Sequence, residues 1–243
     1  MLYWLLKYIV LGPWLRLLYR IDVTGLDNVP REGAVILAIN HNTFLDSFFL
    51  PLIIKRPVTF LAKDEYFVTP GIKGYFMRQF FKGVGQVPVD RSGGDASEAA
   101  LITGTRVLSE GKVLGIYPEG TRSPDGKLYR GHTGVARMAL AAEAPVVPCA
   151  LRGTREVQPP GKLIPRVKKV FVNIGAPLDF ERYEGMENDR FVLRSMTDEI
   201  MYEIMMLSGQ EYSDMYATKA KIILADQPLE QVDLASTQQT ANA

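Results

Sequence analysis

Gly33-Ala-Val-Ile-Leu-Ala-Ile39 runs directly into Asn40-His41-Asn42-Thr43-Phe44-Leu45-Asp46, and the reading of these fourteen residues decides the fold. An unbroken apolar run of this length reads as a strand buried on both faces, as in a parallel sheet covered by helices. The polar cluster that follows stands where a strand end meets the start of a helix, expected over Phe44–Ile54. Open α/β sheets place their ligands at such strand ends.

Outward from this stretch, strand and helix signals alternate. Val58–Ala62 reads as a second strand. Thr69-Pro70 reads as an N-cap followed by proline at the first helical position, with Gly83 closing that helix. Asp95 with Glu98 resembles a capping box, and Gly111 ends the helix it opens. Lys112–Tyr117, Val146–Leu151 and Val167–Asn173 read as strands, with a helix over Val135–Ala142. Asp189–Leu207 reads as a long, Met-rich helix. The alternation predicts a single α/β domain over residues 22–224, with a mixed, largely parallel sheet flanked by helices. Residues 225–243, ending in Ser-Thr-Gln-Gln-Thr-Ala-Asn-Ala, are expected to be a disordered tail.

Composition narrows the classes. At 243 residues the chain is long enough for a full core, and 47% hydrophobic against 23% charged residues is a globular balance. One Cys excludes an intrachain disulfide framework, and one Cys with two His argues against a zinc site. A formal charge of +1 gives no bulk attraction for nucleic acid.

Residues 1–21, MLYWLLKYIVLGPWLRLLYRI, carry Lys7, Arg16 and Arg20, no acid, and both tryptophans of the chain, Trp4 and Trp14. Lys7 and the Gly12-Pro13 break argue against a spanning helix, and no small-residue cleavage site follows. Two short basic, aromatic helices fit a segment lying in a membrane interface. The plainer alternative is a helix pair packed on the core.

The chain has no P-loop, no complete dinucleotide loop around Gly83–Gly85, no G-x-S-x-G elbow and no H-E-x-x-H. Cys149, within VVPCAL, reads as a small buried hydrophobe. What remains is a set of polar clusters at strand ends. His41 is a candidate base, and Asp46 lies close enough along the chain to hold its ring. Gly85-Gln-Val-Pro-Val-Asp-Arg91 and Tyr117-Pro-Glu-Gly-Thr-Arg-Ser123 each end a strand and carry an Arg suited to phosphate oxygens. Taken singly, each Arg reads better as a solvated charge or a partner for Asp90 or Glu119.

NHNTFLD, GQVPVDR, YPEGTRS and VVPCAL, in this order and spacing, resemble the four ordered blocks of the glycerolipid acyltransferases, the 1-acylglycerol-3-phosphate (lysophosphatidate) acyltransferase family. The likeness spans roughly Val23 to Asp179. It implies a glycerolipid acyltransferase-type domain in which His41 is the general base and Asp46 its orienting partner. It implies that Arg122 holds the acceptor phosphate with Gly120 and Thr121, that Glu119 positions the glycerol part, and that Arg91 and Lys63 face the same pocket. Val147 and Pro148 would shape the site from a neighbouring strand. The implied reaction moves a fatty acyl group from acyl-CoA or acyl carrier protein to lysophosphatidate, giving phosphatidate in phospholipid biosynthesis. No cofactor, metal or nucleic acid is implied. The implied location is monotopic, on the cytoplasmic face of the plasma or inner membrane, with residues 1–21 meeting membrane lipids. Alternatives within the class use glycerol 3-phosphate or another lysophospholipid as acceptor. Alternatives outside it are a non-catalytic lipid-binding member and a thioesterase.

Two departures stand out. Where many members have Phe-Lys-x-Gly, this chain has Gly131-His132-Thr133-Gly134, so a permanent cation becomes a histidine. An aromatic common before the Asp of the second block is here Val89. Thiolate is a good leaving group, so a His/Asp pair suffices without an enzyme nucleophile. Ser47 is awkwardly placed for a triad, and the helix start after Asn42 is the expected source of oxyanion donors. Ile72, Tyr75, Phe76 and Phe80, widened by Met77 and Phe81, form one apolar helix face, read either as an acyl groove or membrane contact or as ordinary core.

Overall fold

Val35–Ile39 lies at the middle of a seven-stranded sheet and is fully buried along its whole length. The computed structural model describes residues 2–89, 96–162 and 164–226. In chain order the elements are α1 (Leu2–Leu5), a π-helical stretch (Leu6–Val10), α2 (Gly12–Leu18), β1 (Ile21–Thr24), β2 (Val35–Ile39), α3 (Asp46–Ile53), β3 (Val58–Lys63), α4 (Glu65–Val68), α5 (Gly71–Gly83), β4 (Gln86–Val89) and α6 (Ala96–Ser109). They continue with β5 (Val113–Ile116), β6 (Leu128–Tyr129), α7 (Gly134–Ala141), β7 (Val146–Arg152), α8 (Thr154–Val157), β8 (Val170–Ile174), α9 (Arg190–Ser208), β9 (Tyr212–Ser213) and α10 (Ala217–Ala225).

The sheet order is β1-β8-β7-β2-β5-β3-β4. The five strands from β7 to β4 run parallel, β8 is antiparallel to β7, and β1 is parallel to β8. The sheet is therefore mixed and largely parallel, as the sequence predicts. Alternation along β2 feeds two separate cores. Ile36 and Ala38 pack with residues of α6, α7 and α9, including Met138, Met196 and Ile200. Val35, Leu37 and Ile39 pack on the other face with Phe49, Leu50 and Ile54 of the α3 region. Burial on both faces is why β2 is apolar without interruption.

Several boundaries differ from the sequence reading. The expected helix over Phe44–Ile54 begins at Asp46, because residues 42–45 turn around the Asp46 carboxylate. Thr69 does not cap α5. Its hydroxyl donates to the Glu65 carbonyl at 2.6 Å, closing α4, and Pro70 takes the cap position of α5. The expected strand at Val167 begins at Val170, where its register with Ile21 starts. Neither β6, β9 nor α10 was legible in the pattern, and α10 runs through Ala225, into the stretch expected to be tail. The Asp95 cap and residues 227–243 lie outside the described residues.

The N-terminal segment forms two short helices that break at Leu11–Gly12, and two of its cations are used internally. Lys7 is buried, and its ammonium donates to the Ile54 carbonyl, while Arg16 Nη2 donates to Leu52 O at 3.0 Å. Together they satisfy carbonyls at the end of α3 that no helical amide reaches. The rings of Tyr3, Trp4 and Tyr8 surround the Lys7 ammonium at 5.5–5.8 Å. Burial lowers the Lys7 pKa to about 8. The opposite side of the pair is left open: Ile9, Trp14 and Leu17 are 66%, 64% and 76% exposed. On α5, Phe81 turns into the core against Tyr66 and Phe67, but Ile72, Tyr75 and Phe76 stay exposed. The apolar stripe expected there is thus divided: Met77, Phe80 and Phe81 pack into a buried cluster while Ile72, Tyr75 and Phe76 face outward.

Gly115 of β5 lies against the Phe60 ring, and a Cβ would come within 2.5–2.9 Å of its atoms. Gly115→Val is expected to push that ring aside and cost about 1–3 kcal/mol, read as a lower urea midpoint with unchanged slope.

Candidate active site

The carboxyl ends of β2, β5 and β7 lie side by side, since β2 pairs with β5 on one edge and β7 on the other. The loops leaving β2 and β5 carry His41 and Tyr117 to Arg122, and the end of β7 brings the backbone of Leu151. The order of the sheet thus joins clusters eighty residues apart in the chain.

Asp46 is fully buried and organises the first loop. Its Oδ2 accepts from His41 Nδ1 at 3.0 Å and from the backbone amides of Asn42 and Thr43, each at 2.7 Å. Its Oδ1 accepts from the Thr43 hydroxyl at 3.2 Å. A carboxylate can only accept here, so the ring proton of His41 sits on Nδ1 and Nε2 carries the lone pair. Among the described residues nothing bonds Nε2. The same contacts correct the expected oxyanion donors: the amides of residues 42 and 43 are already engaged by Asp46.

The His41 backbone is held as firmly as its ring. Its N–H donates to Glu119 Oε1 at 2.9 Å, and its carbonyl accepts from Ser123 N at 2.7 Å. Asn40, fully buried, exchanges two hydrogen bonds with the Leu151 backbone and donates to Gln210 Oε1 at 2.7 Å. Tyr117 stacks on the His41 ring at 3.8 Å between centroids, and Phe60 stacks behind Tyr117 at 5.5 Å. The Tyr117 hydroxyl pairs with Ser47 Oγ at 2.8 Å, so Ser47 faces the tyrosine and not His41. Burial, then the nearby Asp46 charge, holds the Tyr117 phenol well above its ordinary pKa. Local sequence assigns no separate role to Tyr117 within its block, nor to Asn40 or Gln210. A ring two residues before Glu119 was the one available signal.

Glu119 does not reach outward as the resemblance implies. It is 1% exposed, and its second oxygen accepts from Tyr129 N at 3.0 Å. Its role in this structure is to clamp the backbones of His41 and Tyr129 together. Burial pushes its pKa up to about 7, against the two amide hydrogen bonds that pull it down.

The loop after Glu119 turns at Gly120, whose φ of 72° suits glycine and whose missing Cβ leaves room for the His132 ring. Thr121 accepts from the Lys221 ammonium of α10. Arg122 is exposed beside them. His132 donates its N–H to Pro118 O at 2.8 Å and stacks on Tyr216 at 4.5 Å. Partial desolvation, then the Arg194 charge, lowers the His132 pKa, although the side chain keeps an exposed face. Lys63 is exposed at the end of β3, in register with Val89. Arg91 lies outside the described residues. Val147 and Pro148 are core residues of β7, which meets the site through the Leu151 backbone. Cys149 is buried, and burial holds its thiol far above the usual range. Among the described residues no group of three or more His, Cys, Asp or Glu side chains converges as metal ligands would.

Glu119→Gln isolates the buried carboxyl. A group whose pKa is raised from 4.5 to about 7 on folding contributes stability that is complete below about pH 4.5 and is lost as pH rises through about 7. Wild type is expected to lose about 2–3 kcal/mol of unfolding free energy between about pH 5 and pH 8 that the variant does not lose, measured by urea titration at each pH.

A family model described as Acyltransferase matches residues 20–152, more than half of the chain. The 1-acyl-sn-glycerol-3-phosphate acyltransferase of Bacillus subtilis is 29% identical over 195 residues, covering 78% of this chain and 89% of the relative. Two chloroplastic proteins of the same description, BAT2 of Brassica napus and LPAT1 of Arabidopsis thaliana, are each 33% identical over 144 residues. The matched region is 59% of this chain but only 40% and 39% of theirs, so the chain spans about two fifths of the length of these relatives. Among solved structures, that of the 1-acyl-sn-glycerophosphate acyltransferase PlsC from Thermotoga maritima aligns with a TM-score of 0.58 at 24% identity, covering 79% of this chain and 72% of that one, which supports the fold.

Proposed function

The chain belongs to the acyltransferase family, and on that premise we propose that it transfers a fatty acyl group from a thioester donor, acyl-CoA or acyl carrier protein, to the free hydroxyl of lysophosphatidate. The observation that carries this reading is the fixed His41. Asp46 sets its tautomer, Tyr117 sets its plane, and Nε2 is left free for a substrate proton. The acceptor hydroxyl gives its proton to Nε2 as its oxygen attacks the thioester carbonyl. The tetrahedral adduct collapses, the C–S bond breaks, and the thiolate takes the proton back from His41. Asp46 stabilises the imidazolium in between. Ser47, paired with Tyr117, plays no covalent part.

Arg122 and Thr121 sit beyond Glu119 on the same loop, where a phosphate on the acceptor would be met. Lys63 approaches from β3. A small cavity of about 40 Å³ opens beside Ser47 and Phe48, lined by Tyr3, Leu6, Leu11 and Val84; it has room for water and not for an acyl chain. It runs between α3 and the N-terminal helices. Among the described residues no helix is long and apolar enough to cross a membrane. Contact with lipid is assigned instead to Ile9, Trp14 and Leu17, together with the open stripe of α5, whose Lys73, Arg78 and Lys82 suit anionic headgroups. The cytoplasmic face of the plasma or inner membrane is where acyl thioesters meet such a surface.

His41→Ala is expected to lower thiol release from palmitoyl-CoA at least about a hundredfold, with folding intact. Wild-type release that requires lysophosphatidate supports the acyltransferase reading. Release without any acceptor would indicate a thioesterase, and release only with glycerol 3-phosphate would move the acceptor one step earlier.

Deleting residues 1–21 would strip the Lys7 and Arg16 contacts from α3, so membrane binding is better tested by charge on the open side. The combined Ile9→Glu, Trp14→Glu, Leu17→Glu variant is expected to lose co-flotation with anionic liposomes while keeping its melting temperature. Flotation equal to wild type would place the membrane contact elsewhere.

A further inference from the structure

The family match ends at residue 152, yet a side chain from the far end of the chain enters the loop that carries Arg122. Lys221 of α10 donates to the Thr121 hydroxyl. α10 is seated against this region by several independent contacts. β6 pairs with β9, joining Leu128 to Tyr212 and Tyr129 to Ser213. Arg130 N donates to Met215 O at 3.0 Å, and Arg130 pairs with Asp214 at 3.3 Å. Tyr129 packs with Ala217 and Ala220 on the buried side of the helix. Tyr216, at its cap, stacks on His132. Tyr129 is in turn bonded to Glu119, the residue that holds His41. Lys221 is therefore presented by a braced element and not by a loose terminus.

Two cations lie together here with no carboxylate in ion-pair contact. Among the described residues neither Arg122 nor Lys221 has a carboxylate within ion-pair distance. The two Glu119 oxygens are occupied by backbone amides. Burial first, and the Arg122 charge second, lower the Lys221 pKa, against a smaller pull upward from Glu119. Like charges brought together beside a hydroxyl are unfavourable until an anion joins them. A phosphomonoester offers up to two negative charges and several acceptor oxygens, enough for an ammonium, a guanidinium and a hydroxyl at once.

We infer that Lys221 binds the acceptor's phosphomonoester together with Arg122 and Thr121, so that α10, outside the family-matched region, completes the acceptor site. This rests on the acyl-acceptor reading above and adds a residue to it.

The test uses the purified full chain, with Lys221→Ala and Lys221→Arg. Calorimetric titration compares hexanoyl lysophosphatidate with hexanoylglycerol, which lacks the phosphate. Lys221→Ala is expected to weaken lysophosphatidate binding about tenfold or more, leave hexanoylglycerol unaffected and raise the acceptor KM without changing the donor KM, and Lys221→Arg is expected to recover most of the loss. Lysophosphatidate affinity within about twofold of wild type in Lys221→Ala would overturn the assignment, while His41-dependent turnover would leave the proposed function standing. Lys221-dependent binding without turnover would do the reverse. A variant that loses flotation on phosphatidate-containing vesicles yet keeps its affinity for soluble lysophosphatidate would also overturn the assignment, since the phosphate then belongs to a membrane headgroup.

Discussion

Everything at the site depends on one buried carboxylate. Asp46 has no contact with water and must be neutralised by what surrounds it, because an uncompensated buried charge costs several kcal/mol. Four donors converge on it: a ring nitrogen, two backbone amides and a hydroxyl. All four come from residues 41–43, so satisfying the charge dictates the conformation of the segment that carries the base. The turn, the late start of α3 and the tautomer of His41 are one electrostatic solution.

A second set of contacts carries that solution into the sheet. Glu119 and Ser123 hold the His41 backbone from the neighbouring strand end, and Asn40 ties it to β7 on the other side. The ring stack His41–Tyr117–Phe60 ends on Gly115, where the absence of a side chain is what lets Phe60 lie flat. Glu119 is the costly member. Its raised pKa shows that burial outweighs its two amide hydrogen bonds, a strain accepted in return for a rigid link between His41 and Tyr129.

The N-terminal segment works in two directions. Inward, Lys7 and Arg16 close the end of α3, the helix whose first residue is Asp46. Outward, it presents large apolar side chains to its surroundings. One element thus couples the proposed lipid surface to the helix bearing the orienting carboxylate, and the cavity beside Ser47 and Phe48 lies between the two.

The residue order by itself determined the α/β alternation, the doubly buried β2 and the polar clusters at strand ends, because each follows from local periodicity and from chain neighbours. His41 and Asp46 were legible for the same reason: five residues apart across a turn, they meet without help from the rest of the fold. Only the tertiary structure decided that Glu119 faces inward, that Tyr117 stacks on His41, that Lys7 caps a helix and that Lys221 reaches Thr121. Those side chains could each have faced solvent as far as their neighbours in sequence specify. Tertiary packing sets partners 47 to 111 residues apart, as with Lys7 and Ile54 or Asn40 and Leu151, and no local pattern encodes which of them will meet. α10 was missed because its nine residues carry no strong amphipathic pattern; it is anchored by two small alanines against Tyr129, a contact that exists only once β6 and β9 have paired.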